Sequence, residues 1–302
     1  MNPTFRVYAG RLFAATLTAL IAAPVCADQS AAGHEQTDPG VLNAIEQERD
    51  ASKEKTVSLR QEGTLNESLA SQTAELNSQI SQTQIGELNT AGAEQEYGAS
   101  NSISVYQVGT ANETYTTQTA ALDSAVTTQQ GGYHNMAYVG QELGVGNRAQ
   151  TFQRGALNSA LVAQANSNFG KAYIEQRGSE NTASAGQSGS GNFSATDQYG
   201  TLNQSLSQQQ GYTNEVNILQ SGFANQTLVI QEDAYNGAST SQDGYLNSID
   251  IRQHGAYGMG GSHQAIVLQS GERNSTTLVQ TGASSSAVIS QSGAGNSVSL
   301  SH

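Results

Sequence analysis

The sequence predicts an all-β chain, a parallel β-solenoid (β-helix) of about ten to eleven coils with two short strands in each. Three observations lead there. Glutamine recurs from Gln61 through Gln72, Gln84 and Gln95 down to Gln280 and Gln291, and nineteen of the twenty intervals in that series are 11 or 12 residues. Every alternate glutamine opens a Gln-x-Gly-x-x-Asn series, so the unit is a repeat of 22–23 residues built from two similar halves. A period of that size marks a solenoid or repeat array. Finally, apolar or small residues stand two and four positions before the strong glutamines and two and four after the strong asparagines. Residues two apart share one face of a strand.

Residues 1–27 read as a secretory signal peptide. Arg6 and Arg11 precede an apolar run from Leu12 to Val25, and Val25-Cys26-Ala27 offers a small-residue cleavage site. That run is short beside the roughly 20 residues of a bilayer-spanning helix. Cys26 is the only cysteine, so cleavage leaves a mature chain without disulfides, although its route leads to an oxidising compartment. No later segment is apolar enough to predict a transmembrane span. Residues 28–56 lack the repeat and read as an acidic, flexible leader. Within it, Asp38 and Pro39 offer a cap and first position for a short helix running towards Glu46.

Residues 57–302 carry the repeat. Its strong half runs through Gln61/Gly63/Asn66, Gln84/Gly86/Asn89, Gln107/Gly109/Asn112, Gln130/Gly132/Asn135, Gln153/Gly155/Asn158 and Gln176/Gly178/Asn181. It continues with Gln198/Gly200/Asn203, Gln220/Gly222/Asn225, Gln242/Gly244/Asn247, Gln269/Gly271/Asn274 and Gln291/Gly293/Asn296. Of the intervening glutamines only Gln187 and Gln209 fit the same motif. Ile103 and Val105 before Gln107, and Ala160 and Val162 after Asn158, define a narrow inward face of small side chains. Tyr106, Tyr138, Leu161, Leu228 and Ile230 fall on the opposite parity and are expected outside. The Gly-x-x-Asn link reads as a turn in which Gly takes positive φ and Asn tolerates it.

The same parity places the repeated Gln and Asn inside. A buried amide without partners costs about 1–3 kcal/mol. Stacked copies remove that cost, since each side-chain carbonyl meets the amide of a neighbouring coil in the ladders that stabilise cross-β stacks. The one long step, 16 residues from Gln253 to Gln269, predicts a loop bulging from one corner around 257–262.

Composition excludes several functions. The chain has 12 basic and 25 acidic residues, a net charge of -13. An acidic chain without basic clusters along its sequence does not suit nucleic acid. Low charge and abundant polar residues suggest disorder, but a disordered chain needs no strict period. A β-helical polysaccharide-active enzyme needs paired carboxylates or a metal with a base. Here Asp197, Glu232, Asp233, Asp243 and Asp250 are scattered, with an approach of Glu232-Asp233 to Asp243 across adjacent corners the one pairing worth testing. His134, His254 and His263 lack metal-ligand spacing. The reading has no catalytic residue, no metal and no cofactor.

The pattern S/N-x5-Q-x-G-x-x-N-x5-Q, present as Asn101, Gln107, Gly109, Asn112 and Gln118, resembles the curlin repeat, and the resemblance covers residues 57–302. Curlins are secreted subunits of curli, the functional amyloid fibres of bacterial biofilm matrix. The resemblance implies a subunit that crosses the outer membrane through a dedicated secretion pore. Outside the cell it would polymerise with itself and with other curli subunits, its Gln and Asn ladders driving assembly. Two departures matter. The chain holds about twice the five repeats of familiar curlins, and its leader is acidic where the major subunit's is Gly-rich. A nucleator-type minor subunit and a non-polymerising adhesin both stay open. The last coil keeps the full motif and carries no proline, charge run or capping helix after Asn296, so its edge is expected to be open.

Overall fold

Small side chains in strict alternation can fill only a thin core, and the computed structural model shows that core as the space between two parallel sheets. It describes residues 55–255 and 261–302 in full and the strand backbone at 32–36 and 44–49. The described residues form 24 strands, β1 (Ala32–Gln36) to β24 (Ser297–Ser301). Odd-numbered strands make one 12-stranded sheet and even-numbered strands the other, each internal strand pairing with the strand two before and two after it. One odd and one even strand therefore make a coil. At about 4.8 Å per coil the stack is on the order of 50 Å tall.

The register places like residues on like. Gln61 pairs with Gln84, Gln84 with Gln107, and Gln107 with Gln130. The burial pattern alternates along each strand, as in Ser102–Thr110, where Ile103, Val105 and Gln107 point in and Tyr106 points out. Val57, Ile80, Ile103 and Val126 form one inward column, and Val162, Ile174, Ile218 and Val229 belong to others. Tyr106, Tyr138 and Leu161 are exposed, and Leu228 and Ile230 half-buried. The inward and outward sets are those the parity predicts.

The turn differs from expectation in one respect. The motif glycines do take positive φ. Gly63 lies at 105°, Gly86 at 118°, Gly109 at 121°, Gly132 at 114°, Gly155 at 127° and Gly178 at 118°. Gly200 follows at 114°, Gly222 at 106°, Gly244 at 123°, Gly271 at 108° and Gly293 at 102°. The second left-handed residue, however, is the one before the asparagine: Leu65, Leu88, Ala111, His134 and Leu157 lie at φ 51–58°. The asparagines themselves do not adopt that conformation. Asn66, Asn89, Asn112, Asn135, Asn158 and Asn181 all keep negative φ, as do Asn203, Asn225, Asn247, Asn274 and Asn296. Each asparagine already starts the next strand's path, since its own carbonyl accepts the first N–H of the equivalent strand one coil back. Asn89 O accepts from Glu67 N at 2.8 Å, Asn135 O from Glu113 N at 2.8 Å, and Asn225 O from Gln204 N at 2.8 Å. That bond fixes the asparagine backbone, and the reversal falls to its neighbour.

The leader also departs from its reading. β1 and β2 (Ala44–Arg49) pair in parallel with β3 (Thr56–Thr64) and β4 (Glu67–Thr73), matching Gln36 to Gln61 and Arg49 to Gln72. The expected helix falls partly on 37–43, outside the described residues, and its continuation is strand. A sheet edge presents a row of backbone donors and acceptors, and that offer outweighs a weak local helix preference. The signal segment 1–27 and loop residues 256–260 likewise lie outside the described residues. No helix of the described residues is long and apolar enough to cross a membrane.

Candidate functional site

A glutamine at the inward end of a strand has two N–H donors and one carbonyl to satisfy. Within the stack all of them are met, as at Gln153. Gln153 is 3% exposed; its Nε2 donates to Gln176 Oε1 at 2.8 Å and to Met136 O at 2.9 Å, and its Oε1 accepts from Gln130 Nε2 at 2.8 Å. From Gln61 to Gln291 the column is unbroken, each step between 2.7 and 3.0 Å. It passes through Gln84, Gln107, Gln130, Gln153 and Gln176, then Gln198, Gln220, Gln242 and Gln269. The ten intervening glutamines, Gln72 to Gln280, form a second column of the same quality, with steps of 2.7–3.0 Å. Their motif is weaker in sequence, but their ladder is not weaker in space.

The asparagine column runs with the opposite polarity. Asn112 Nδ2 donates backwards to Asn89 Oδ1 at 3.1 Å and forwards to Gly132 O at 3.1 Å, while its backbone N–H also reaches Asn89 Oδ1 at 3.1 Å. The same backward bond joins Asn89 to Asn66, Asn135 to Asn112, Asn158 to Asn135 and Asn181 to Asn158, at 2.9–3.1 Å. It continues from Asn203 to Asn181, Asn225 to Asn203, Asn247 to Asn225, Asn274 to Asn247 and Asn296 to Asn274, at 2.8–3.1 Å.

The forward bond couples this column to the motif glycines. Gly86 O accepts from Asn66, Gly109 O from Asn89, Gly155 O from Asn135, Gly178 O from Asn158 and Gly200 O from Asn181, each at 2.9 Å. Gly222 O accepts from Asn203, Gly244 O from Asn225, Gly271 O from Asn247 and Gly293 O from Asn274, at 2.9–3.2 Å. A Cβ on any motif glycine from Gly63 to Gly271 would lie 1.9–2.1 Å from the carbonyl oxygen of the next glycine, the oxygen the asparagine amide uses. All the predicted Gln and Asn residues fall in these columns. All are buried except Asn296, exposed in the last coil.

The second corner holds a polar column that the motif did not reveal. Ser78, Asn101, Ser124, Asn147, Gly170, Asn192, Asn214, Asn236, His263 and Ser285 occupy equivalent buried places. Side-chain oxygens there accept the backbone N–H one coil on: Asn101 Oδ1 from Ser124, Asn147 Oδ1 from Gly170 and Asn236 Oδ1 from His263, at 2.9–3.2 Å. At position 170 the local volume sets the residue. Asn101 and Asn147 have glycine three residues before (Gly98, Gly144), Ser124 has Ala121, and Gly170 has Ser167. A Cβ on Gly170 would meet Ser167 Oγ at 2.4 Å. We expect Gly170→Asn alone to destabilise and Gly170→Asn with Ser167→Gly to recover, with a coupling of about 0.5–3 kcal/mol in a double-mutant cycle. Additive effects would contradict this volume rule.

The scattered carboxylates stay scattered. Glu232 and Asp233 lie on the even sheet and Asp243 on the odd one. The two acids instead face His254, whose Nδ1 is 2.8 Å from Glu232 Oε2 and 3.6 Å from Asp233 Oδ2 at the surface. His263 is fully buried, but its Nε2 meets the backbone carbonyl of His254 at 3.2 Å, not the ring. Among the described residues no group of three His, Cys, Asp or Glu is placed to hold a metal. Two outer-face acids are held above the usual carboxylate range. Burial raises Asp197, reinforced by the Glu175 charge and opposed by Arg177. Burial raises Glu96 too, aided by its hydrogen bond and charge contact with Glu94.

Residues 271–301 match the family model described as the curlin associated repeat. No curated protein and no solved structure matches the chain. The matched stretch runs from Gly271 and Asn274 through Gln280 to Gln291, Gly293 and Asn296, and its side chains sit in the same columns as those of the coils before it. On that register, the last coils are similar to the curlin associated repeat, and the earlier coils carry the same columns.

Proposed function

We propose that this chain is a secreted structural subunit that polymerises end to end into extracellular cross-β fibres, serving matrix formation and adhesion as curli do. The curlin repeat and the β-solenoid fit a curlin-type subunit. The observation that carries the finer reading is the equivalence of the coil interfaces. Every internal coil presents the next with the same Gln and Asn groups and the same parallel backbone edge. Among the described residues, β23 (Ser286–Ala294) and β24 pair on one side only. Gln291 Nε2 donates to Ser275 O at 3.0 Å but lacks the forward bond that Gln269 makes to it. That face offers a second copy what each coil offers the next. Passage through an outer-membrane pore and copolymerisation with other curli subunits belong to the same proposal. The activity is assembly, with no chemical step.

Seeded elongation tests the assigned face. Replacing Gln291 and Asn296 by alanine should slow growth clearly, while Tyr138→Ala, on the outer face, should leave it near wild type. Equal rates for all variants would contradict assembly through the ladders.

A further inference from the structure

Cations that are dispersed in sequence gather on one outer face. Arg148 and Lys171 are register partners at the starts of β11 (Arg148–Ala156) and β13 (Lys171–Ser179), and Arg154 and Arg177 are partners six residues further along. All four are exposed. Between the two rows lie Phe152 and Tyr173, with ring centroids 5.7 Å apart. Beside them is a trough at Gly131, where an added Cβ would meet nothing within 4 Å. Arg177 is tied on the face, 2.5 Å from Glu175 and over the Tyr199 ring at 5.5 Å. Arg148, Arg154 and Lys171 form no ion pair among the described residues.

The outer face of the even sheet, on the other side of the thin solenoid, has the reverse pattern. Glu67 and Glu113 lie in one row, at the starts of β4 and β8 (Glu113–Leu122). Glu96 and Glu142 lie in another, six positions along the shared register. Between these rows Tyr115 and Tyr138 stack with centroids 5.7 Å apart. Six residues at about 3.3 Å each put the rows about 20 Å apart on both faces.

We propose that these faces dock on each other, the odd-sheet face of one copy lying on the even-sheet face of a second, so that fibres join side by side. Both cation rows then meet acid rows with the same separation across the face, the acids recurring at every second coil, and the aromatic strips meet between them. The two surfaces differ, so the contact is heterologous and open, giving ribbons or bundles rather than a closed dimer. A patch about 20 Å wide over a few coils is smaller than the roughly 800 Å² per partner of a stable pair. Single chains therefore do not pair through it. A polymer repeats it in every subunit and gains by multivalency. The inference rests on the proposed fibre.

The test compares bundle width by electron microscopy, at low and high salt, for fibres of the wild type, Arg154→Glu/Arg177→Glu and Glu113→Lys/Glu142→Lys. Both variants should lose bundling while elongating at the wild-type rate, their combination should restore it, and high salt should disperse wild-type bundles. Simple repulsion between acidic fibres predicts the opposite for Glu113→Lys/Glu142→Lys, which lowers the negative charge and would thicken bundles. That thickening, or bundling indifferent to both variants, overturns the face pairing and leaves the fibre intact. Absence of fibres in the wild type overturns the proposed function, and the lateral contact with it.

Discussion

Gly155→Ala is expected to separate the solenoid between β11 and β13, lowering stability by about 3–5 kcal/mol. Two costs add. The residue sits at φ 127°, where an L side chain costs about 1–3 kcal/mol. Its Cβ would also lie 1.9 Å from Gly178 O, a backbone atom that no rotamer change can move. That oxygen accepts from Asn158 Nδ2 at 2.9 Å, so relieving the clash breaks the asparagine ladder as well. Gly131→Ala is the control, being an open strand position without positive φ. It should be neutral or stabilise by roughly 0.5–1 kcal/mol. Denaturant midpoints distinguish them, and equal shifts would contradict the account of the close approach.

Gln153→Glu should be comparably damaging, and in a way that depends on pH. The amide donates to Gln176 Oε1 and Met136 O. A carboxylate in its place turns both contacts into oxygen facing oxygen. Uncompensated charge at a site 3% exposed costs about 3–5 kcal/mol. Burial and the facing carbonyls raise the carboxyl's pKa in the fold above its unfolded value of about 4.3. The penalty relative to wild type is therefore smallest below that unfolded value, where the neutral acid still donates one bond. It grows as pH rises towards the folded pKa and is constant above it. A deficit independent of pH would show that the site admits water.

The main architecture was legible because its chemistry recurs at fixed spacing. A glutamine near each strand end of the repeat, followed at alternate strands by a glycine two residues on and an asparagine three further, leaves few alternatives to stacked amides with a left-handed turn. Other features were hidden for separate physical reasons. The second-corner column is masked because its members differ in type, Ser, Asn, Gly and His among them, and at one coil Ser167 leaves room only for Gly170. β1 and β2 pair because β3 and β4 offer an edge, a cause not written in their own residues. The shift of the left-handed position from Asn66 to Leu65 follows from the asparagine's bond to the neighbouring coil. Arg154 and Arg177 stand 23 residues apart in the chain, and only the register makes them neighbours.

The central claim, that stacked amide ladders make this chain a fibre subunit, is tested most directly by X-ray diffraction on the product of residues 28–302 released from denaturant, with growth followed by an amyloid dye. The account predicts a lag, then growth, and reflections near 4.7 and 10 Å, the strand and sheet spacings of a cross-β stack. A stable, soluble monomer with no such reflections would contradict it, because its ends would then be closed to a second copy.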